Sequence, residues 1–306
     1  MKRVLIIGCG DVALRAIPLF RNGYKLFALV RDPAKLPGLR ALGVIPILGN
    51  LDDRRSLKRI SGLADTVLHF APPPNIGITD TRTHNLLSAL SYPSPDSCYR
   101  HKTKFAHRRR QLPKQLVYIS TSGVYGDCGG AWVNETQTLN PTIPRSQRRM
   151  DAESQIRTWA RHNRVHASIL RVPGIYASDR LPLSRIQQGT PCIIASEDSY
   201  TNHIHADDLV RISFAVLRHG KACRVYHASD DSQLKMGEYF DLVADTYRLP
   251  RVPRISRTEA QHMLPEALLS FMNESRRLTN RRMKQELKVR LHYPTVQAIL
   301  TTLKKI

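Results

Sequence analysis

Met1-Lys-Arg-Val-Leu-Ile-Ile-Gly8-Cys9-Gly10-Asp11-Val12-Ala13 opens the chain and decides its fold. Val4–Ile7 is an apolar run too short for a buried helix, so it reads as a strand. It stops at Gly8, glycine recurs at Gly10, and Ala13 follows three residues later. G-x-G-x-x-A between a strand and a helical pattern is the spacing of a dinucleotide-binding turn. Gly8 permits the tight turn, Gly10 lets the backbone approach a pyrophosphate, and Ala13 allows close helix–strand packing. The helix that follows offers unpaired N–H groups and a positive dipole end to phosphates. Gly8, Cys9, Gly10, Asp11, Val12 and Ala13 are therefore the first cofactor-binding candidates. The competing reading is a glycine turn that serves packing alone.

Outward from this turn, short apolar runs alternate with helical patterns. Strands are expected at Val4–Ile7, Lys25–Val30, Val44–Leu48, Asp65–Phe70, Gln115–Ser120 and Ala167–Arg171. Helices are expected at Asp11–Asn22, Pro33–Leu42, Asp53–Leu63, Thr79–Leu90 and Gln147–His162. This alternation implies an α/β fold, a Rossmann-type doubly wound parallel sheet with helices on both faces and right-handed crossovers. Residues 1–178 read as the dinucleotide-binding domain. Residues 179–306 read as a smaller C-terminal substrate-side region interleaved with it, with a strand near 223–228 available to the main sheet. The stretch 93–113, with its prolines, serines and basic residues, breaks the rhythm and reads as an exposed loop insertion.

The chain has 306 residues and a net charge of +22, from 47 Lys and Arg against 25 Asp and Glu. Such a charge attracts anionic ligands and favours non-specific contact with nucleic acid. Much of it lies in two clusters, Arg100 to Lys114 and Arg276 to Arg290. No nucleic-acid-binding motif accompanies them, so both read as solvated basic surface. Five scattered cysteines without C-x-x-C spacing argue against a metal site or a disulfide framework and fit a reducing, cytoplasmic setting. No apolar stretch is long enough for a membrane span, and the N-terminus lacks the pattern of a signal peptide.

Ligands of such sheets bind beyond the carboxyl ends of the strands. After the second strand stand Arg31 and Asp32. An acid there would bind the ribose hydroxyls of NAD, whereas an arginine pairs with the extra phosphate of NADP. Arg31 favours NADP, and Asp32 keeps NAD open. Asn50 and Leu51 follow the third strand, where Asn50 faces the adenine edge or serves ordinary turn chemistry. Ala71, Pro72 and Pro73 follow the fourth, where small, rigid residues suit close approach to the middle of a dinucleotide.

After the fifth strand comes Ser120-Thr121-Ser122-Gly123-Val124-Tyr125-Gly126-Asp127. Further segments follow in order: Leu170-Arg171-Val-Pro173-Gly174-Ile-Tyr176, Asn202-His-Ile-His205-Ala-Asp207-Asp208-Leu209, Val225-Tyr226-His227-Ala228-Ser229-Asp230, Arg276-Arg277-Leu-Thr-Asn280 and Leu291-His-Tyr293-Pro294. Together they resemble the extended short-chain dehydrogenase/reductase family, the NAD(P)-dependent nucleotide-sugar epimerases and dehydratases. The resemblance covers nearly the whole chain except 93–113. It implies the Rossmann fold, a nicotinamide dinucleotide, Pro173 beside it, and a small-molecule substrate; a homodimer is compatible with it.

The family's working pair is Y-x-x-x-K on the helix after strand five. Aligned on Ala152-Glu153, the tyrosine position holds Arg145 and the lysine position Arg149. A guanidinium effectively never loses its proton, so Arg145 cannot stand in for a phenol. Arg149 retains the positive charge that the ribose or phosphate would meet. Thr121 matches the family's hydroxyl partner and can hydrogen-bond a substrate carbonyl, but a hydroxyl alone is a poor general acid. Tyr125 is the nearest remaining phenol, with a packed structural tyrosine as its alternative role. Arg171 and Arg180 are candidates to hold an anionic substrate.

The chain thus resembles atypical members of the family with a degenerate site. Three functions follow as expectations. One is an NADP-dependent oxidoreductase or epimerase-like enzyme. Another is a non-catalytic NADP-binding sensor or regulator. The last is a nucleic-acid-associated protein using the basic loop.

Overall fold

A computed structural model describes residues 1–92 and 111–303. Most of the expected insertion at 93–113, and its basic residues up to Arg110, lie outside the described residues.

Seven strands form the main sheet: β1 Lys2–Ile7, β2 Tyr24–Val30, β3 Ile45–Leu48, β4 Thr66–His69, β5 Gln115–Thr121, β6 His166–Val172 and β7 Arg224–His227. Their order across the sheet is β7-β6-β5-β4-β1-β2-β3. The pairings β1–β2, β1–β4, β2–β3 and β4–β5 are parallel, with Ile7 opposite both Leu29 and His69. Chain order reverses at β1, so β1 and its neighbours β2 and β4 flank the topological switch point at which such sheets bind ligands.

The principal helices are α1 Asp11–Arg21, α2 Thr81–Leu90, α3 Pro144–Asn163 and α4 Ala206–His219. The residues of β1 and β2 alternate in direction, as a strand requires. Leu5, Ile7, Phe27 and Leu29 join one buried cluster with Leu86 and Leu90 of α2 and Ala152 and Ile156 of α3. A separate set of rings packs Phe20 of α1 and Tyr24 against Phe214 of α4, with the Phe20–Phe214 centroids 5.1 Å apart in an edge-on arrangement.

One expected helix differs in type. The segment after β3 is a 3-10 helix, Arg54–Ile60, rather than an α-helix. Its buried residues, Leu57 and Ile60, are three apart, which matches the threefold period of that helix.

The chain clusters into two units. The first contains Met1–Ser120, Gln147–Leu170 and Ser213–Val225; the second contains Thr121–Ser146, Arg171–Ile212 and Tyr226–Ile306. Three of the boundaries fall near the carboxyl ends of β5, β6 and β7. A single boundary at residue 178 does not describe this arrangement. Residues 121–146 and 171–178 group with the second unit and 213–225 with the first, because successive strands of one sheet each end in a segment belonging to the other unit.

Within the second unit, Gly174–Tyr176 pairs in parallel with His203–His205. Asp208 is fully buried and accepts from the backbone N–H groups of His292 at 2.9 Å and Tyr293 at 2.8 Å. Two backbone donors on one carboxylate explain how so buried a charge is tolerated. They also tie the start of α4 to the Leu291–Pro294 stretch.

Asp230 follows β7 and is also buried. Its Oδ1 accepts from Ser232 N–H at 2.9 Å, and the Tyr176 phenol lies against the same carboxyl. Burial pushes its pKa from 3.8 up to about 7. The folded state therefore prefers the neutral acid. This contribution is fully present below pH 4 and is lost as pH rises through 7, at up to about 1.4 kcal/mol per pH unit. Asp230→Asn keeps the Oδ1 acceptor and removes the ionisation. Urea titrations at pH 3.5 and 8 are expected to show the variant gaining on the native chain only at the higher pH. An equal difference at both would show that Asp230 does not titrate as described.

Candidate dinucleotide site

Where β1 ends, Gly8 adopts φ +92°, and a Cβ built on it would lie 2.5 Å from the backbone N of Ala71 and 2.6 Å from its Cα. Both the left-handed backbone and the approach of the β4 exit exclude any side chain. Gly10 is different. It is the N-cap of α1 with φ −90°, and a Cβ there would meet no protein atom within 4 Å. Neither its backbone angle nor its neighbours require glycine. The space it leaves open lies over the first turn of a helix, where unpaired N–H groups favour an anion. Ala13, 1% exposed, is buried behind this turn.

The turn is one wall of a cleft of about 380 Å³, within the range of small-molecule sites. Gly8, Cys9, Gly10, Arg31, Asp32, Asn50, Leu51, Ala71 and Pro72 all line it. Asp11, Val12, Ala13, Pro73 and Arg149 are not among its lining residues. Asp11 belongs to the first turn of α1 and pairs with Arg15 at 3.0 Å. Burial pushes the Cys9 thiol up to about 11, so it stays protonated and serves as a small wall residue rather than a nucleophile.

The acidic and amide groups of the cleft are already engaged. Asp32 caps the turn that follows β2, accepting from Ala34 N–H at 2.9 Å. Asn50 Oδ1 accepts from Asp52 N–H at 3.0 Å, an Asx turn that leaves its NH2 group for a ligand. Arg31 is exposed at the rim.

Two cations of the cleft were not anticipated from sequence, Lys35 and Arg82. Arg82, in the first turn of α2, forms a two-pronged pair with Asp52, Nε to Oδ1 at 2.7 Å and Nη2 to Oδ2 at 2.8 Å. Its Nη1 donates to the carbonyls of Pro72 at 3.3 Å and Pro73 at 3.2 Å. One guanidinium thus ties the loop after β3 to the loop after β4. The Arg82 hydrogen bond holds the Asp52 carboxyl below its usual range. Asn85, a turn further on, donates to Leu51 O at 2.8 Å. No motif marks Arg82; its role depends on partners 30 and 10 residues away.

Arg149, also in the first unit, turns toward β5. Its Nη1 donates to Ile119 O at 2.6 Å and to the Tyr118 hydroxyl at 3.2 Å. Tyr118 is fully buried and its pKa is pushed up to about 12, mainly by that burial.

The remaining candidates lie in the second unit. Thr121 is half-buried, and its Oγ1 accepts from Gly123 N–H at 3.2 Å. Tyr125 is 1% exposed, with its hydroxyl 2.5 Å from His227 Nε2 and accepting from Arg171 at 2.6 Å. Burial keeps His227 neutral, its pKa lowered to about 3. Its Nδ1 lies 2.8 Å from the Thr279 carbonyl, which can only accept, so Nδ1 carries the proton. Nε2 is then the acceptor, and the Tyr125 phenol donates to it. Arg171 is 2% exposed and also donates to Glu135 O at 3.3 Å. Tyr125 and Arg171 thus belong to a buried network. Arg180 is exposed and Pro173 half-buried. Arg145, expected at the family's tyrosine position, stacks on Phe271 with its guanidinium carbon 3.9 Å from the ring centroid.

Gly10→Ala is expected to preserve folding, with stability within about 1 kcal/mol by thermal melting, the usual cost of alanine at an N-cap. It is expected to lower dinucleotide affinity at least about tenfold by calorimetry. Unchanged affinity would leave Gly10 a packing residue. Arg82→Ala is expected to speed amide exchange at Asp52, Asp53, Ala71 and Asn75, residues of the two loops that carry an N–H, and to weaken dinucleotide binding, at a stability cost near 1 kcal/mol for a partly exposed pair. Exchange confined to α2 would show that Arg82 does not hold the loops.

The model of the NAD dependent epimerase/dehydratase family matches residues 18–228. Human dTDP-D-glucose 4,6-dehydratase is 24% identical over 270 residues, covering 77% of this chain and 71% of the relative. A functionally unknown conserved protein from Silicibacter pomeroyi shares the fold with a TM-score of 0.77 and 26% identity, over 100% of this chain and 99% of that one. A dTDP-glucose 4,6-dehydratase from Bacillus anthracis, solved in complex with NAD, has a TM-score of 0.74 at 16% identity, over 100% and 96% of the two chains. The family match begins beyond the glycine turn, so the turn is independent support for the same fold. This chain belongs to the NAD dependent epimerase/dehydratase family.

Proposed function

We propose that this chain binds NADP in the cleft of its first unit and acts as an oxidoreductase or nucleotide-sugar epimerase/dehydratase-like protein whose proton-transfer site departs from the family pattern. Gly10 carries the cofactor reading, because neither its backbone angle nor its surroundings demand glycine, whereas a pyrophosphate over the N-terminus of α1 would. The backbone N–H groups of the turn hold the diphosphate, Asn50 offers its NH2 to the adenine, and Leu51, Ala71 and Pro72 exclude water along the middle. Arg31 favours NADP, since Asp32 already caps its own turn. A bound nicotinamide supplies hydride transfer to or from a carbonyl-level carbon.

On the substrate side, Thr121 can donate its hydroxyl to a carbonyl oxygen, its lone pair being taken by Gly123 N–H. Neither Arg145 nor Arg149 can exchange a proton near neutral pH. The Tyr125 proton is directed to His227. Proton transfer is therefore slow unless the substrate brings its own acid. The net charge of +22 and exposed Arg180 suit an anionic substrate. The named relatives suggest the nucleotide-sugar class.

A second reading, an NADP-binding sensor without turnover, is favoured by the Arg145–Phe271 stack, which fills the phenol's position with a group that cannot do its chemistry.

Calorimetric titration with NADPH and NADH tests the cofactor. NADPH is expected to bind more tightly, and Arg31→Ala to weaken NADPH about tenfold or more while sparing NADH. If neither nucleotide binds, the cofactor reading fails; if NADH binds as tightly, the choice of NADP fails. Arg145→Tyr combined with Arg149→Lys tests the activity. Hydride transfer across a nucleotide-sugar panel, absent or slow in the native chain and gained in the variant, supports an enzyme-derived substrate site. No transfer in either supports the sensor.

A further inference from the structure

A second groove, of about 460 Å³, adjoins the dinucleotide cleft and shares Arg31, Gly49 and Asn50 with it. Its other walls include Leu48, Arg55, Lys58 and Arg59. The 3-10 helix Arg54–Ile60 builds this wall. Its threefold period buries Leu57 and Ile60 on one side and places Arg55 and Lys58, also three apart, on another.

The charge balance is one-sided. No carboxylate lines the groove. The nearest acids in sequence have other work: Asp53 accepts from Arg55 N–H at 3.0 Å, Asp32 from Ala34 N–H, and Asp52 is paired with Arg82. Among the described residues, Arg31, Arg55, Lys58 and Arg59 form no salt bridge. A diphosphate over the glycine turn is met by backbone N–H groups and the helix dipole at the far side of Gly8 and Gly10. Four cations at the Arg31 end remain surplus for a dinucleotide that carries only that diphosphate. Arg31 and Asn50 stand at the ends of β2 and β3, the side on which the adenosine half of a dinucleotide lies in this topology.

We propose that this groove holds a phosphate monoester carried on the adenosine ribose of the dinucleotide, with Arg31 as the shared wall and Arg55 and Lys58 as further specificity-determining residues. A monoester carries close to two negative charges at neutral pH and three acceptor oxygens, which suit a guanidinium fork and an ammonium together. The proposal rests on the dinucleotide reading above. It differs in assigning the discrimination to the segment after β3 as well as to the residue after β2.

The test titrates the full chain and its R55A/K58A variant with NADPH and NADH, at low and high salt. The substituted side chains are exposed, and thermal melting checks that the fold is kept. The variant is expected to lose about tenfold or more in NADPH affinity, to keep NADH within about twofold, and to show a weaker salt dependence for NADPH. If the native chain prefers NADPH and the variant keeps that preference, the groove is not the phosphate site, while the reading of Arg31 stands. If the native chain binds both nucleotides equally, the NADP reading fails and this proposal with it. Tripolyphosphate is titrated into the chain saturated with NADPH. Exclusion supports the proposal; binding alongside NADPH overturns it in favour of a separate phosphorylated ligand.

Discussion

The approach of Gly8 to Ala71 is the contact on which the dinucleotide site depends. The exits of β1 and β4, adjacent strands, come so close that a single methyl group on Gly8 would overlap the Ala71 backbone. This closeness sets the floor of the cleft and lets the helix after Gly10 begin where its N–H groups face open space. Backbone N–H groups, rather than side chains, therefore face the space in which the proposed diphosphate would lie.

Around that floor, charge is arranged in tiers. Arg82 is neutralised by Asp52 and holds two loops in place. Arg31 and Lys35 face the cleft without a comparable partner. Beyond them the 3-10 helix presents Arg55 and Lys58. The acids near the site serve as turn caps, so their charges stabilise local backbone. A strongly cationic chain thus places its surplus where a phosphate-rich ligand would meet it.

The two arginines that the resemblance puts at the catalytic pair's positions differ in their contacts. Arg149 is drawn to Ile119 O and Tyr118, and within the second unit Arg145 lies on Phe271. The Tyr125 phenol of the strand-five turn is held between His227 and Arg171. Each of the Arg145 and Arg149 guanidinium groups thus has a partner with which its permanent charge is compatible.

Short-range features were legible in the sequence. The glycine spacing, the alternation of strands and helices, and the positions of Arg31, Asn50, Leu51, Ala71 and Pro72 follow from period and turn chemistry within a few residues. The rest depended on partners far apart in the chain. Asp52 and Arg82 meet across 30 residues, and the buried network around Tyr125 joins it to His227, 102 residues away. Two interleaved units were expected, but their bounds depend on the same long-range contacts, since a linear boundary cannot represent strands that each end in a segment of the other unit. The sequence by itself determined that this chain builds a parallel sheet with a glycine turn of dinucleotide-binding spacing, because those signals are local and periodic. Only the tertiary structure decided which charges are free for a ligand and which are neutralised, because that depends on which side chains the fold brings within hydrogen-bond distance.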